Sequence, residues 1–253
     1  MKNKVALIDA DSIIYFATFN KKGEKEKTLD DCKEYIDDFI DGIMSCTYSS
    51  HYLLTLTIGK NFRYKIDKNY KGDRVNKEKP NYFNETRDYL VDKYKAFYHE
   101  DLESDDLVNI LRNKIENSFI CACDSDILLG LPGKHFNYKK FQWVNTSIIN
   151  AKEYFWKSMI TGTHNGVKGL KGKGIVWANK CIEESLNTGQ LYQSAILDSY
   201  INDYGDDIGI EKYYETYKLL KLKDDYEGLV IPDPIEYIEK YELKEENNKT
   251  DWL

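Results

Sequence analysis

Short runs of almost wholly apolar residues alternate along this chain with longer amphipathic stretches. The first, VALIDAD, ends on Asp9 and Asp11. A second spans residues 53–58, and a third spans residues 119–123 and gives way to Asp124-Ser125-Asp126. Runs this short, apolar at consecutive positions and separated by helical stretches, predict parallel strands buried on both faces of an α/β sheet. Ligands of such sheets gather outside the carboxyl ends of the strands, so Asp9, Asp124 and Asp126 are expected at one edge. Ahead of the third run, Leu107, Ile110, Leu111 and Ile115 recur at helical spacing, with Glu103, Asp105 and Asp106 in the first turn of that helix. The helix dipole partly offsets their charge there.

From residue 151 onward the pattern is helical, punctuated by the glycines of TGTHNGVKGLKGKG. Tyr213, Tyr214, Tyr217 and Trp156 fall at helical spacing and are expected to pack rather than to bind bases. No Pro- or Ser-rich linker intervenes. The expected organisation is a sheet-containing core over 1–150, a continuous helical region over 151–238 and a charged tail over 239–253.

A length of 253 residues with 42% hydrophobic content permits a sizeable core. No charged-then-apolar leader opens the chain and no apolar run approaches bilayer length, so a cytoplasmic, membrane-free protein is expected. The five cysteines include Cys121 and Cys123 alternating along one expected strand, which suits buried thiols better than disulfides or zinc.

A net charge of −7 argues at first against a nucleic-acid partner. Its distribution reverses that argument. Residues 60–79 hold eight Lys or Arg against three acids, and residues 161–180 hold Lys168, Lys171, Lys173 and Lys180 with no acid. Much of the acidic excess lies in residues 30–41 and beyond 203, where a solvated helical face or tail accounts for it.

Asp9, Glu103, Asp105, Asp106, Asp124 and Asp126 are the candidate metal ligands. Crowded carboxylates repel unless a cation sits among them, and hard divalent ions prefer carboxylate and water oxygens. Two such ions can stabilise the attacking and leaving oxygens of phosphodiester hydrolysis. Taken singly, the same acids could cap a helix or turn a loop. The sequence LKGKG, residues 170–174, suits a helix–hairpin–helix whose side-chain-free turn lets backbone N–H groups approach a phosphate. It could also be a tight connection between helices.

Asp9 in LIDADSIIYFA, the ESDD of residues 103–106, the DSD of residues 124–126 and the glycine hairpin of residues 169–174, in that order, resemble the flap endonuclease and 5′→3′ exonuclease family, the phage 5′-nucleases in particular. The resemblance covers residues 5–230. It implies a PIN-like central parallel sheet flanked by helices, a helical arch at about residues 60–100, and a C-terminal helix-three-turn-helix that grips duplex DNA. It also implies Mg²⁺ or Mn²⁺ as cofactor, potassium at the glycine hairpin, and DNA with a 5′ end, flap or branch, or an RNA–DNA hybrid, as partner of a monomer. Residues 60–79 resemble the stretch leading into the arch. Lys71 and Arg74 are the candidates for charge stabilisation at the scissile phosphate, and Arg63 for holding phosphate. Tyr70 is the candidate for stacking on an unpaired base. Gly169, Lys171, Gly172, Lys173 and Gly174 are the candidates at the duplex. As members of a charge run, the basic residues could equally be solvated surface.

Two departures thin one side of the site. Thr57 and Gly59 follow the second strand where the family has an aspartate. GTHNG, with Thr163, His164 and Asn165, stands where it has two more. Of two expected cations, the second is therefore expected to be weakly held, or served by Asp11, Asn165 or His164. A metal-dependent 5′ nuclease of phage-type replication or repair and a noncatalytic DNA-binding relative both remain open.

Overall fold

In a computed structural model, the described residues are 4–20, 26–72, 77–163 and 166–231. Arg74, His164, Asn165 and the expected tail lie outside them. The elements run β1 (Val5–Asp9), α1 (Asp11–Thr18), α2 (Leu29–Thr47), β2 (His51–Leu56), α3 (Arg63–Ile66), α4 (Phe83–Tyr94), β3 (Phe97–Tyr98), α5 (Ser104–Lys114), β4 (Ser118–Ala122), α6 (Ser125–Leu128), β5 (Gly133–Asn137), β6 (Gln142–Thr146), α7 (Ile148–Thr161), α8 (Ile175–Thr188), α9 (Tyr192–Tyr204) and α10 (Asp206–Leu220).

The strands form one sheet in the order β3-β2-β1-β4-β5-β6. All pairings are parallel except β5–β6, an antiparallel hairpin in register from Gly133↔Thr146 to Asn137↔Gln142. The sheet thus has the expected parallel centre and is mixed only at the β6 edge. Successive connections run outward from β1 through β2 to β3, then return to place β4 on the other side of β1. The resulting crevice between β1 and β4 is where a doubly wound sheet binds its ligand.

Strand parity decides which side chains face it. Ala6 and Ile8 of β1, Leu54 and Leu56 of β2, and Phe119 and Cys121 of β4 join α1, α2 and α4 in one core. Val5 and Leu7, Leu53, and Ile120 and Ala122 meet Val108 and Leu111 of α5 on the opposite face. Asp9 shares the parity of Leu7, so it turns toward the acidic start of α5. On the first face, α2 buries Cys32, Ile36, Ile40, Ile43 and Met44, and Thr28 caps it by accepting the Asp31 N–H. Its solvent side carries the acids of residues 30–41. Among these, Asp37 accepts from Tyr89, Lys93 and Tyr94 of the α4 region and ties the two helices together.

Helices α7 to α10 enclose a second core of Met159, Ile160, Leu170, Ala178, Ile182, Ile196, Tyr200 and Tyr213. Among the bonds that join it to the sheet-bearing half are two to backbone carbonyls. Arg63 Nε of α3 donates to Leu219 O, and Asn109 Nδ2 of α5 donates to Lys223 O. Among the described residues no helix is long and apolar enough to cross a membrane.

Candidate metal and nucleic-acid site

Asp9, at the end of β1, is buried and accepts from Ser104 Oγ at 2.5 Å. Burial, then the neighbouring charge of Asp11, with a smaller push from Asp124, raises its carboxyl to about 7. Asp11 opens α1 and reaches across to β2, where its Oδ1 accepts the Thr57 N–H at 2.9 Å. Ser104 binds both strand ends, since its N–H donates to Thr57 Oγ1 and its hydroxyl lies 2.7 Å from Thr55 Oγ1. Thr57, where an aspartate was expected, thus orients α5 against the sheet.

Glu103 sits immediately before α5, and both of its oxygens are saturated. Oε1 accepts from Asn61 Nδ2 at 2.8 Å and Lys71 Nζ at 2.6 Å; Oε2 accepts from Tyr70 OH at 3.1 Å and Arg63 Nη1 at 3.3 Å. Burial alone would raise this carboxyl, but Lys71 and Arg63 hold it below its ordinary value. Asp105 has the opposite balance. Burial and the charges of Glu103 and Asp106 push it well above the usual carboxylate range.

Asp106 is fully buried and accepts Arg63 Nη1 and Nη2 at 2.5 and 2.9 Å, with the Glu103 and Lys223 N–H groups completing its shell. It is the counter-ion of Arg63, whereas the sequence placed it among the candidate metal ligands. Arg63, 1% exposed, turns its guanidinium inward to Asp106, Glu103 and Leu219 O. Tyr70 is likewise 4% exposed, with its hydroxyl on Glu103, so neither ring face is open to a base. Lys71 reaches the acids as a partly buried ammonium.

Asp124 caps α6 by accepting the Asp126 N–H at 2.8 Å, and Asp126 Oδ1 accepts Tyr154 OH at 2.8 Å from α7. Tyr154 gave no signal in sequence, being one aromatic among many on a helix. Ser104 and Asn61 were equally silent as isolated polar residues. The β1 end, the β4 end and the start of α5 bring Asp9, Asp11, Glu103, Asp105 and Asp124 within electrostatic reach of their neighbours in the set, while Asp126 is engaged by Tyr154. The donors are all oxygens, and burial first, then neighbouring acids, raises the carboxyls of Asp9 and Asp105. Among the described residues no three acidic, histidine or cysteine side chains converge tightly enough to cage an ion unaided. An oxygen-only donor set is of the type that hard divalent ions accept while keeping part of their water shell.

The bacteriophage T5 D15 protein, co-crystallised with metal ions, superposes with a TM-score of 0.64 at 16% identity, over 87% of this chain and 90% of its own. The T5 D15 flap endonuclease, in a pseudo-enzyme–product complex with DNA and metal ions, gives 0.56 at 13% identity over 86% and 99%. The catalytic core of Rad2 in complex with DNA substrate gives 0.56 at 16% identity over 92% and 84%. This chain has the flap-endonuclease fold. No family model and no curated protein matches the sequence, so the likeness is one of architecture.

Within the flap-endonuclease fold, the glycine turn joins α7 to α8. Gly162 bridges Lys168, and Gly169 packs so closely on Ile160 O and the Gly162 nitrogen that a side chain has no room. Gly172 has φ +75° and open space around it, and Gly174 precedes α8 without a side-chain cap. The first N–H groups of α8 are thus uncovered by any capping side chain. Lys171 is exposed, whereas Lys173 donates to Asp203 at 2.7 Å and lies over the Trp177 ring. Lys173 braces the turn against α9.

Proposed function

We propose that this chain is a divalent-metal-dependent, structure-specific 5′ nuclease that hydrolyses DNA phosphodiesters at or near 5′ ends or flaps. The observation that carries the reading is the proximity of Asp9, Asp11, Glu103, Asp105 and Asp124 at the β1–β4 crevice of a flap-endonuclease fold. Asp9, Glu103, Asp105, Asp124 and Asp126, with Asp11 beside them, would hold Mg²⁺ or Mn²⁺. Such an ion supplies Lewis acidity and an acidified bound water. Lys71, together with Arg74, stabilises negative charge on the phosphate as it builds. Lys171 and the uncapped start of α8 hold backbone phosphates of the duplex, which positions it without reading sequence. The segment around α3 and α4 serves as the arch, and the α7–turn–α8 unit as the helix-three-turn-helix, with potassium at its glycines. A role in phage-type replication inside a bacterial host fits this chemistry, as does action on RNA–DNA hybrids.

A noncatalytic DNA-binding role is favoured by two observations: Arg63 pairs with Asp106, and Thr57 and Thr163 stand where the family has further acids. Incubating the protein with a labelled 5′-flap duplex, with Mg²⁺ or Mn²⁺ and separately with chelator, decides between them. Metal-dependent product supports the nuclease, binding without product supports the relative, and product in chelator contradicts both.

A further inference from the structure

A carboxylate offers about four lone-pair sites, and all four of Glu103's are filled, by Asn61, Lys71, Tyr70 and Arg63. A divalent ion can use this residue only by displacing one donor. Arg63 is fixed by Asp106 and Leu219 O. Asn61 and Tyr70 are buried and neutral, and removing either from Glu103 would strand a polar group in the interior. Lys71 differs from all three. Its side chain is 18% exposed, its ammonium ends a flexible four-carbon stem lying against the Tyr70 ring, and its charge acts on Asp11 and Asp105 as well as on Glu103. The backbone holds it there at φ +53°, which few non-glycine residues adopt.

Building on the metal-nuclease reading, we propose that Lys71 is a tethered counter-cation. In the metal-free protein its ammonium occupies a cation position on Glu103 Oε1, and it is released toward the substrate phosphate when a divalent ion takes that oxygen. The exchange gives one lysine two successive anionic partners. It keeps the acids neutralised before metal arrives, and it presents the phosphate-facing charge only once the metal is in place. The two roles make opposite demands on a Lys71 variant, because removing the ammonium removes a competitor for the ion and a partner for the phosphate at once.

Mn²⁺ titration calorimetry on the full chain without DNA, comparing wild type with Lys71→Met, tests this. The methionine keeps an apolar stem against Tyr70. Lys71→Met is expected to bind Mn²⁺ at least about tenfold more tightly, the lower end of what a neighbouring charge does to an ionic equilibrium, while losing flap cleavage. Amine-reactive labelling of wild type, read at Lys71 by mass spectrometry, is expected to rise when Mg²⁺ is added. Equal or weaker Mn²⁺ binding by a folded Lys71→Met overturns the exchange and leaves the metal reading standing. Absence of Mn²⁺ binding in both proteins overturns both. Should the variant not fold, labelling of wild-type Lys71 that stays unchanged with Mg²⁺ overturns the exchange by itself.

Discussion

At the scale of the residue, the acids divide by what already neutralises them. Asp106 is paired with Arg63, Glu103 is paired through four donors, and Asp9 and Asp105 are raised by burial and by their own acidic neighbours, Asp11 for Asp9 and Glu103 for Asp105. Asp124→Asn should therefore lower metal-dependent cleavage by more than about a hundredfold, with branched-duplex binding retained because the basic surfaces are untouched. Wild-type turnover of the variant would remove Asp124 from the site. The raised Asp9 carboxyl also sets a pH dependence. Its folded value near 7 exceeds its unfolded one, so between these values the native state binds the extra proton, and raising pH through this window destabilises the metal-free protein. The ion needs the ionised form. Mn²⁺ affinity should rise from pH 6 to about 7 and flatten above, with proton release that calorimetry in buffers of different ionisation enthalpy would detect. A flat affinity over that range would mean that Asp9 does not meet the ion.

At the scale of the element, the glycine turn separates two lysines that look alike in sequence. Lys171→Ala should reduce the magnitude of the salt slope of duplex binding by about one and leave unfolding unchanged, since an exposed lysine neutralises about one phosphate. Lys173→Ala should instead cost about 1 kcal/mol or less, its partly exposed pair with Asp203 being screened. Duplex affinity across salt concentrations, measured beside thermal melts, would show this division reversed if Lys173 were the phosphate ligand. The same contrast explains what could be read from sequence. β1, β2, β4 and α5 were legible because consecutive apolar residues and helical spacing are written locally, and Asp9 and Asp124 followed from being strand ends. The outlying strands were not: β3 has two residues, and β5, GKHFN, and β6, QWVNT, lack a run of consecutive apolar residues. Arg63 was hidden for a different reason. Within a run of eight cations nothing local distinguishes the one that becomes buried, because its partners Asp106 and Leu219 lie 43 and 156 residues away.

At the scale of the whole molecule, that buried arginine joins the two cores. It touches the start of α5 beneath the sheet and the end of α10 in the helical half, so it couples the acidic crevice to the helices expected to hold duplex. Removing one partner of a buried pair leaves the other charged and unsolvated, and Arg63→Ala should cost about 3–5 kcal/mol. Arg63→Met with Asp106→Leu removes both charges and fills their volume, so by the same principle it should recover most of that loss. The pair's second task would remain unfilled in the double variant, since Leu219 O and the N–H groups of Glu103 and Lys223 lose their partners and Glu103 loses a donor. Urea unfolding should then show a double variant closer to wild type than Arg63→Ala is, yet one in which Mn²⁺ affinity is altered because Glu103 is held by fewer groups. If the double variant is no more stable than Arg63→Ala, the loss comes from the missing hydrogen bonds across the two cores rather than from an unpaired charge, and the arginine is a strap between halves more than a counter-ion for Asp106.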